Sequence, residues 1–318
     1  MSAVAAEQPP ATTEQPPEKK RGISTRTLLL GLGACWIGGV IALILVYGLH
    51  GTRNTTFKPQ DEFKLETWFK VGPVEFNKAV MYLILAALLT CVTMIWIARR
   101  MQARPNKVQT AIEALYQLMH DNITGGNLDT RMSRRWFPFI ATLFLFIMFS
   151  NLVGYIPLPT NTEHTIEVFG VTIPSFSLYA ATANISIPLA LALVVFISYT
   201  YEGVRAKGPI GYLKGLVPNG VTGGMAVFIF FLEVLSNLMR LLSLSIRLFA
   251  NILAGHLIIL FMAGGLAVIL GISALGWFTI PFGVLLYAFE VGLVAALQAF
   301  IFATLTAIYL GGAVATEH

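Results

Sequence analysis

The sequence predicts an all-α integral membrane protein with about six transmembrane helices. The last two are very long and strongly tilted, and one amphipathic helix lies along the surface. Three observations carry this reading. Charged residues make up 12% of the 318 residues and hydrophobic ones 56%, roughly half the charge of a soluble chain, and the mean hydropathy is +0.73. Apolar runs of about twenty residues recur, the length that crosses a bilayer. The final ninety or so residues, from Met225 to Ala315, form two runs longer than one perpendicular crossing requires, so they must tilt or bend.

The elements follow in chain order. Residues 1–26 carry EQPP twice and then Lys19, Lys20 and Arg21, a Pro/Glu/Thr-rich composition that cannot build a core and predicts a disordered tail. Thr27–Leu49 is too long for a signal-peptide core and reads as a first span. Residues 50–78 are polar and mixed in charge, and a second span, Ala79–Ala98, stops at Arg99-Arg100. VQTAIEALYQLMHDNI (Val108–Ile123) is apolar at 108, 111, 112, 115, 118 and 119. That is helical spacing in a segment too polar to cross, so it predicts a surface helix. Trp136–Tyr155 is a third span and about Asn184–Thr200 a fourth, separated by a polar loop with β-like stretches such as Val168–Ile173. The two long runs, about 225–264 and 267–314, contain Gly264, Gly265, Gly271, Gly276 and Pro281 as breakers.

Basic loop residues set orientation. The tail and the 99–135 and 201–224 loops hold fourteen Lys/Arg, against five in the 50–78 and 159–182 loops, so both termini are expected in the cytoplasm. This placement accounts for the net charge of +5 without nucleic acid. Cys35 and Cys91 sit inside apolar runs and read as small hydrophobes, not as a disulfide or metal pair. No Walker loop, HExxH or Cys/His metal spacing is present, so neither nucleotide chemistry nor a cofactor is expected of this chain.

Five ionisable residues remain inside the apolar runs: Glu233, Arg240, Arg247, His256 and Glu290. A charge at the bilayer centre costs about 2.5–3.5 kcal/mol on insertion scales, so each is a functional candidate. Glu233 and Arg240 lie near the cytoplasmic boundary, where an ordinary ion pair explains them equally well. Arg247 stays charged at any working pH, and the nearest acid on its own segment, Glu233, is about 21 Å away along an ideal helix. A counter-charge from another chain is therefore expected. At 100° per residue, Glu233, Arg240, Arg247, Asn251 and Ala254 form one stripe, flanked by Ser236, Ser243 and Gly255. Small residues there permit close approach by another helix. His256 falls near the opposite side, toward the final helix with Glu290 and Gln298, and a membrane His beside a membrane Glu reads as a proton relay. For Asn151 and Asn184, amides satisfying backbone groups are the favoured reading.

SLSIRLFANILAGH (Ser243–His256) resembles the signature of subunit a of rotary, F-type ATP synthases, and so does LQAFIFATLTAIYL (Leu297–Leu310). VQTAIEAL, SNLVGYIP and FLEVLSNLMRLLSLSIR add to the resemblance, which covers about residues 67–314. It implies a proton-translocating stator subunit beside a rotating ring of subunit c, with peripheral-stalk subunit b, the rest of the complex and lipid as partners. Residues 27–49 then become an extra N-terminal helix and 79–318 the proton-channel domain. Two aqueous half-channels are implied, with Arg247 separating them and attracting deprotonated ring carboxylates. Asn251, His256 and Gln298 match the outer half-channel, and Glu233 and Ser236 the cytoplasmic one. Arg240 falls where a basic residue is common, with Ser243 and Ala254 as supporting positions. Glu290 resembles a second titratable site paired with His256. The family pattern implies a separation of seven positions from it to Gln298, whereas here the separation is eight, which leaves an offset of one or a local bulge.

The expected setting is a bacterial inner membrane, and the chain itself is expected to be non-catalytic. A stand-alone ion/proton antiporter would also need buried Arg, His and Glu, but the inverted repeats with paired broken helices that mark one are not seen. A membrane-embedded enzyme would need a nucleophile with its base or a metal set, and neither is visible.

Overall fold

The computed structural model describes residues 25–47, 63–65, 67–72, 74–100, 106–168, 171–217, 221 and 223–315. The predicted tail lies outside the described residues up to position 24, as do residues 50–62 of the segment that follows the first span.

Helices dominate. Among the described residues, five are long and apolar enough to cross a bilayer: Lys78–Arg99, Thr130–Gly154, Ser186–Lys207, Gly224–Leu260 and Leu275–Val314. They belong to α2 (Lys78–Arg100), α4 (Thr130–Gly154), α5 (Ser186–Lys207), α7 (Gly224–Leu260) and the run formed by α9 (Ser273–Phe289) with α10 (Ala295–Val314). α1 (Thr25–Tyr47), expected as the first span, has 23 residues and reaches about 34 Å; its apolar part, Leu30–Ala42, is shorter and is not among those five. It packs on α9, where the Trp36 indole N–H donates to the Trp277 carbonyl at 3.0 Å and stacks on Phe278 at 5.2 Å. α7, with 37 residues, is about 55 Å long, well beyond the roughly 30 Å hydrocarbon core.

Several boundaries differ from the sequence reading. α4 starts at Thr130, not Trp136, and α5 runs on to Lys207, seven residues past the expected end. The α4 extension carries Arg131, Arg134 and Arg135 and the α5 extension Glu202, Arg205 and Lys207, charges that mark a polar boundary in sequence, yet Arg135 and Glu202 pair across the two helices. Of the glycine breakers, Gly271 is the one that adopts positive φ, +68°. It ends α8 (Leu266–Leu270) and turns the chain into α9, while Gly276 and Pro281 stay inside α9. The predicted surface helix is α3 (Lys107–Gln117), continued by a π-helical turn, Leu118–Thr124. Met119 and Ile123 bury against the bundle and Val108 and Leu118 are exposed. The β-like loop is an antiparallel hairpin, β3 (Leu158–Val168) with β4 (Val171–Ser177). A second hairpin, β1 (Thr67–Val71) with β2 (Val74–Asn77), precedes α2.

The ends of the bundle are distinct. At one, Phe63 packs on both Tyr179 and His256, joining the segment before α2 to the loop before α5 and to α7. At the other, Lys207 Nζ donates to the Ala315 carbonyl at 2.7 Å, and Arg135 meets Glu202 at 3.1 Å. The core lies between α10, α4 and α5. Ala295, Ala299, Ala303 and Ala307 are fully buried at four-residue spacing on α10, a small-residue ridge that lets helices approach closely where no hydrophobic drive between them exists. Overfilling that ridge is the direct test. Ala303→Leu should destabilise the protein by about 1–3 kcal/mol, read as a lower thermal midpoint in detergent, whereas Ala288→Leu at an exposed position of α9 should leave it unchanged.

Candidate functional site

α7 presents two faces. Leu244, Ser245, Leu248, Ile252, Gly255, His256 and Ile259 are buried in the bundle. Ser243, Arg247, Asn251 and Ala254 are exposed. None of the helix's most apolar 18-residue window is buried inside the chain. Arg247 makes no hydrogen bond or ion pair among the described residues. Its guanidinium sits on an open, small-residue face, and the Glu290 carboxylate is engaged elsewhere, so no acid of the described chain neutralises it.

Toward the N-terminal half of α7, Glu233 Oε1 lies 3.7 Å from Arg240 Nη2, with both side chains more than a third exposed. Such a pair is worth little stability. Arg240 also sits over the Tyr309 ring and near Asn237 Oδ1. Glu233, Asn237, Arg240, Tyr199, Lys207, Tyr212 and Tyr309 line a polar cavity of about 370 Å³. The Tyr199 hydroxyl is buried there with no hydrogen-bond partner among the described residues. Ser236, one turn from Glu233, is half-buried.

At the other half of α7, the eight-residue spacing has a physical answer. Glu290–Val294 is a π-helical turn, and Ala295 N–H bonds to the Glu290 carbonyl five residues back. The wider turn absorbs one extra residue, so the bulge, not an offset, is what the structure shows. Asn151 fastens it: its amide donates to the Ala295 carbonyl at 3.3 Å and accepts from the Thr182 hydroxyl at 2.8 Å. Asn184 accepts from the Ser186 N–H at 3.1 Å. Both asparagines thus serve backbone groups.

The bulge brings the Glu290 carboxylate against Gly255. A Cβ there would stand 2.5 Å from the carboxyl carbon, so a larger residue would have to push the Glu290 carboxylate aside. The Tyr155 hydroxyl donates to Glu290 Oε2 at 3.0 Å, and the Tyr287 hydroxyl donates to the Tyr155 carbonyl at 2.7 Å. His256 is 2% exposed. Its Nδ1 lies 2.9 Å from the Ile252 carbonyl oxygen and its Nε2 3.2 Å from that of Gly154. Its ring stacks on Tyr155 at 4.5 Å. His256 therefore faces the end of α4, not the last helix directly, and Tyr155 stands between it and Glu290. Gln298, one α-helical turn past the bulge, is buried with no hydrogen bond to its amide among the described residues. At the hairpin end, Tyr179 is buried and hydrogen-bonded to Asn184. Burial pushes its phenol up to about 12, so it stays a donor.

Two groups escaped the sequence reading. In sequence Tyr155 is the last residue of a span, and its chemistry comes from tertiary contact alone. Glu202 was placed in a loop, but it is a buried helical acid paired with Arg135. The available signal was a charge just outside each predicted span, Arg135 one place before Trp136 and Glu202 two places past Thr200.

The family model described as ATP synthase A chain matches residues 80–311. The chain belongs to the ATP synthase A chain family. ATP synthase subunit a of Rubrobacter xylanophilus is 35% identical over 247 residues, covering 77% of this chain and 86% of that protein. The Bradyrhizobium diazoefficiens subunit a is 33% identical over 270 residues, 82% and 98%. That of Acidiphilium cryptum is 35% identical over 262 residues, 80% and 94%. The protein is thus a multi-pass membrane subunit of ATP synthase. α1 and the β1–β2 hairpin precede the residues matched to the family.

Two substitutions probe this ATP synthase subunit's site. Gly255→Ala should lower the thermal midpoint by the equivalent of about 1–3 kcal/mol, and adding Glu290→Ala should recover most of it by vacating the space. Glu233→Gln should change stability by under about 1 kcal/mol; a larger loss would mean the pair with Arg240 is structural.

Proposed function

We propose that this chain is the proton-translocating stator of ATP synthase, working as a non-catalytic conduit against a rotating ring of subunit c. The carrying observation is Arg247: a permanent cation on the open, small-residue face of α7, with no counter-charge in its own described chain. Such a site fits a carboxylate that arrives and leaves on another subunit. Arg247 attracts the ionised ring carboxylate, favours release of its proton, and blocks direct passage between two half-channels. Asn251, Ser243 and Ala254 share that face and give the ring helices room.

His256, Glu290 and Gln298 line the outer half-channel in this reading. The cavity at Glu233 and Arg240, with Ser236 close by, belongs to the cytoplasmic one. Both termini lie in the cytoplasm and the chain sits in a bacterial inner membrane, the orientation supported by its basic loops. Peripheral-stalk subunit b is the expected static partner. A proton falling through about 100 mV releases roughly 2.3 kcal/mol, so several must be combined for one synthesis step, and a ring that counts protons does this.

The test uses inverted membrane vesicles holding the whole ATP synthase. Arg247→Ala should abolish ATP-driven proton pumping and raise passive proton leak. Retained coupled pumping would sink the proposal. In the same membranes, Asn251→Cys should crosslink to cysteines placed on the ring helices, and crosslinking only to a second copy of this chain would favour a stand-alone transporter.

A further inference from the structure

We infer that Tyr155 is a positioning residue of the outer proton path: it holds Glu290 Oε2 and so leaves Oε1 as the oxygen that takes and gives up the proton. The inference rests on the function proposed above. It starts at the last turn of α4, where two successive residues handle two titratable groups. The Gly154 carbonyl oxygen lies 3.2 Å from His256 Nε2, and the Tyr155 hydroxyl donates to Glu290 Oε2 at 3.0 Å.

The phenol is fixed on every side. Tyr155 is 1% exposed. Its carbonyl is tied down by the Tyr287 hydroxyl, and its ring is stacked at 26° on the imidazole. Phe63 closes the far side of that imidazole edge-on, 6.4 Å away. A hydroxyl held this way cannot turn to serve another acceptor. It remains a donor to the carboxylate in both of the carboxylate's protonation states, occupying one oxygen and freeing the other.

The groups facing Glu290 are few. Tyr155 comes from α4, Tyr287 from its own helix with its hydroxyl spent on the Tyr155 carbonyl, and His256 from α7, next to the Gly255 that the carboxylate touches. Among the described residues no Lys or Arg pairs with it. The phenol is thus the one hydrogen-bond donor that distinguishes the charged carboxylate from the neutral one, and its removal disfavours the charged form.

The experiment measures ATP-driven proton pumping against pH in inverted vesicles containing the complete ATP synthase. Tyr155→Phe keeps the stacked ring and loses the donor. It should move the pH midpoint upward by about one unit, the size of a hydrogen bond to a charged group. Tyr155→Phe combined with Glu290→Gln should shift no further than Glu290→Gln alone, because the two act through one bond. A profile for Tyr155→Phe that superimposes on the wild type, or shifts that add in the double variant, overturns the inference. Arg247→Ala in the same assay separates the levels. Coupled pumping that survives it removes the function itself, whereas loss of pumping with an unmoved Tyr155→Phe profile removes only the role of Tyr155.

Discussion

A guanidinium without a carboxylate partner among the described residues is the constraint on which the arrangement turns. Arg247 cannot shed its proton, and a charge in hydrocarbon is costly. Had the chain supplied a fixed partner, the pair would be hard to break, since removing one member of a buried pair costs several kcal/mol. α7 instead leaves Arg247 on a face that nothing in the described chain covers, while its other face packs tightly through Leu248, Ile252 and Ile259. On the proposed function a second helical surface lies opposite, and Ser243, Asn251 and Ala254 keep its approach short.

The acid that could have neutralised Arg247 is held away by covalent register and hydrogen bonds. A regular α-helix would rotate Glu290 about 100° per residue relative to Gln298. The wide turn at Glu290–Val294 absorbs that extra residue. Asn151 pins the turn from α4, Gly255 yields the space, and Tyr155 takes one carboxylate oxygen. Each of these devices would be a poor choice for stability alone. A π-turn spoils regular bonding, and a glycine inside a helix costs about 1 kcal/mol relative to alanine. Together they give the carboxylate a defined place beside His256 and apart from Arg247.

Much of this was legible in the sequence because membrane burial leaves few charges, and each survivor stands out. Arg247 and the stripe through Asn251 and Ala254 could be placed from 100° periodicity, and the fold class from run lengths. The eight-residue spacing of Glu290 and Gln298 even showed that a bulge was one of two solutions. Periodicity could not choose between them, since the choice depends on Asn151, a residue 144 positions away. Nor could it find Tyr155, an aromatic at a helix end whose role comes only from what α7 and the bulge bring to it. The ends of α4 and α5 were misjudged for a related reason. Arg135 and Glu202 look like loop charges until they are seen to neutralise one another across two helices.

The two halves of α7 therefore solve opposite electrostatic problems. Near Glu233 and Arg240 the charges are paired loosely, more than a third exposed, beside a polar cavity. Solvent screening keeps such a pair weak, so Glu233 is free to change partners. Near His256 the groups are buried and held by fixed donors and carbonyls, where low dielectric makes each hydrogen bond consequential. Arg247 lies between them in sequence and belongs to neither network. A chain that joined the two through its own side chains would conduct without coupling. On the proposed function, any carboxylate passing Arg247 comes from outside the chain, which ties ion flow to the movement of a partner.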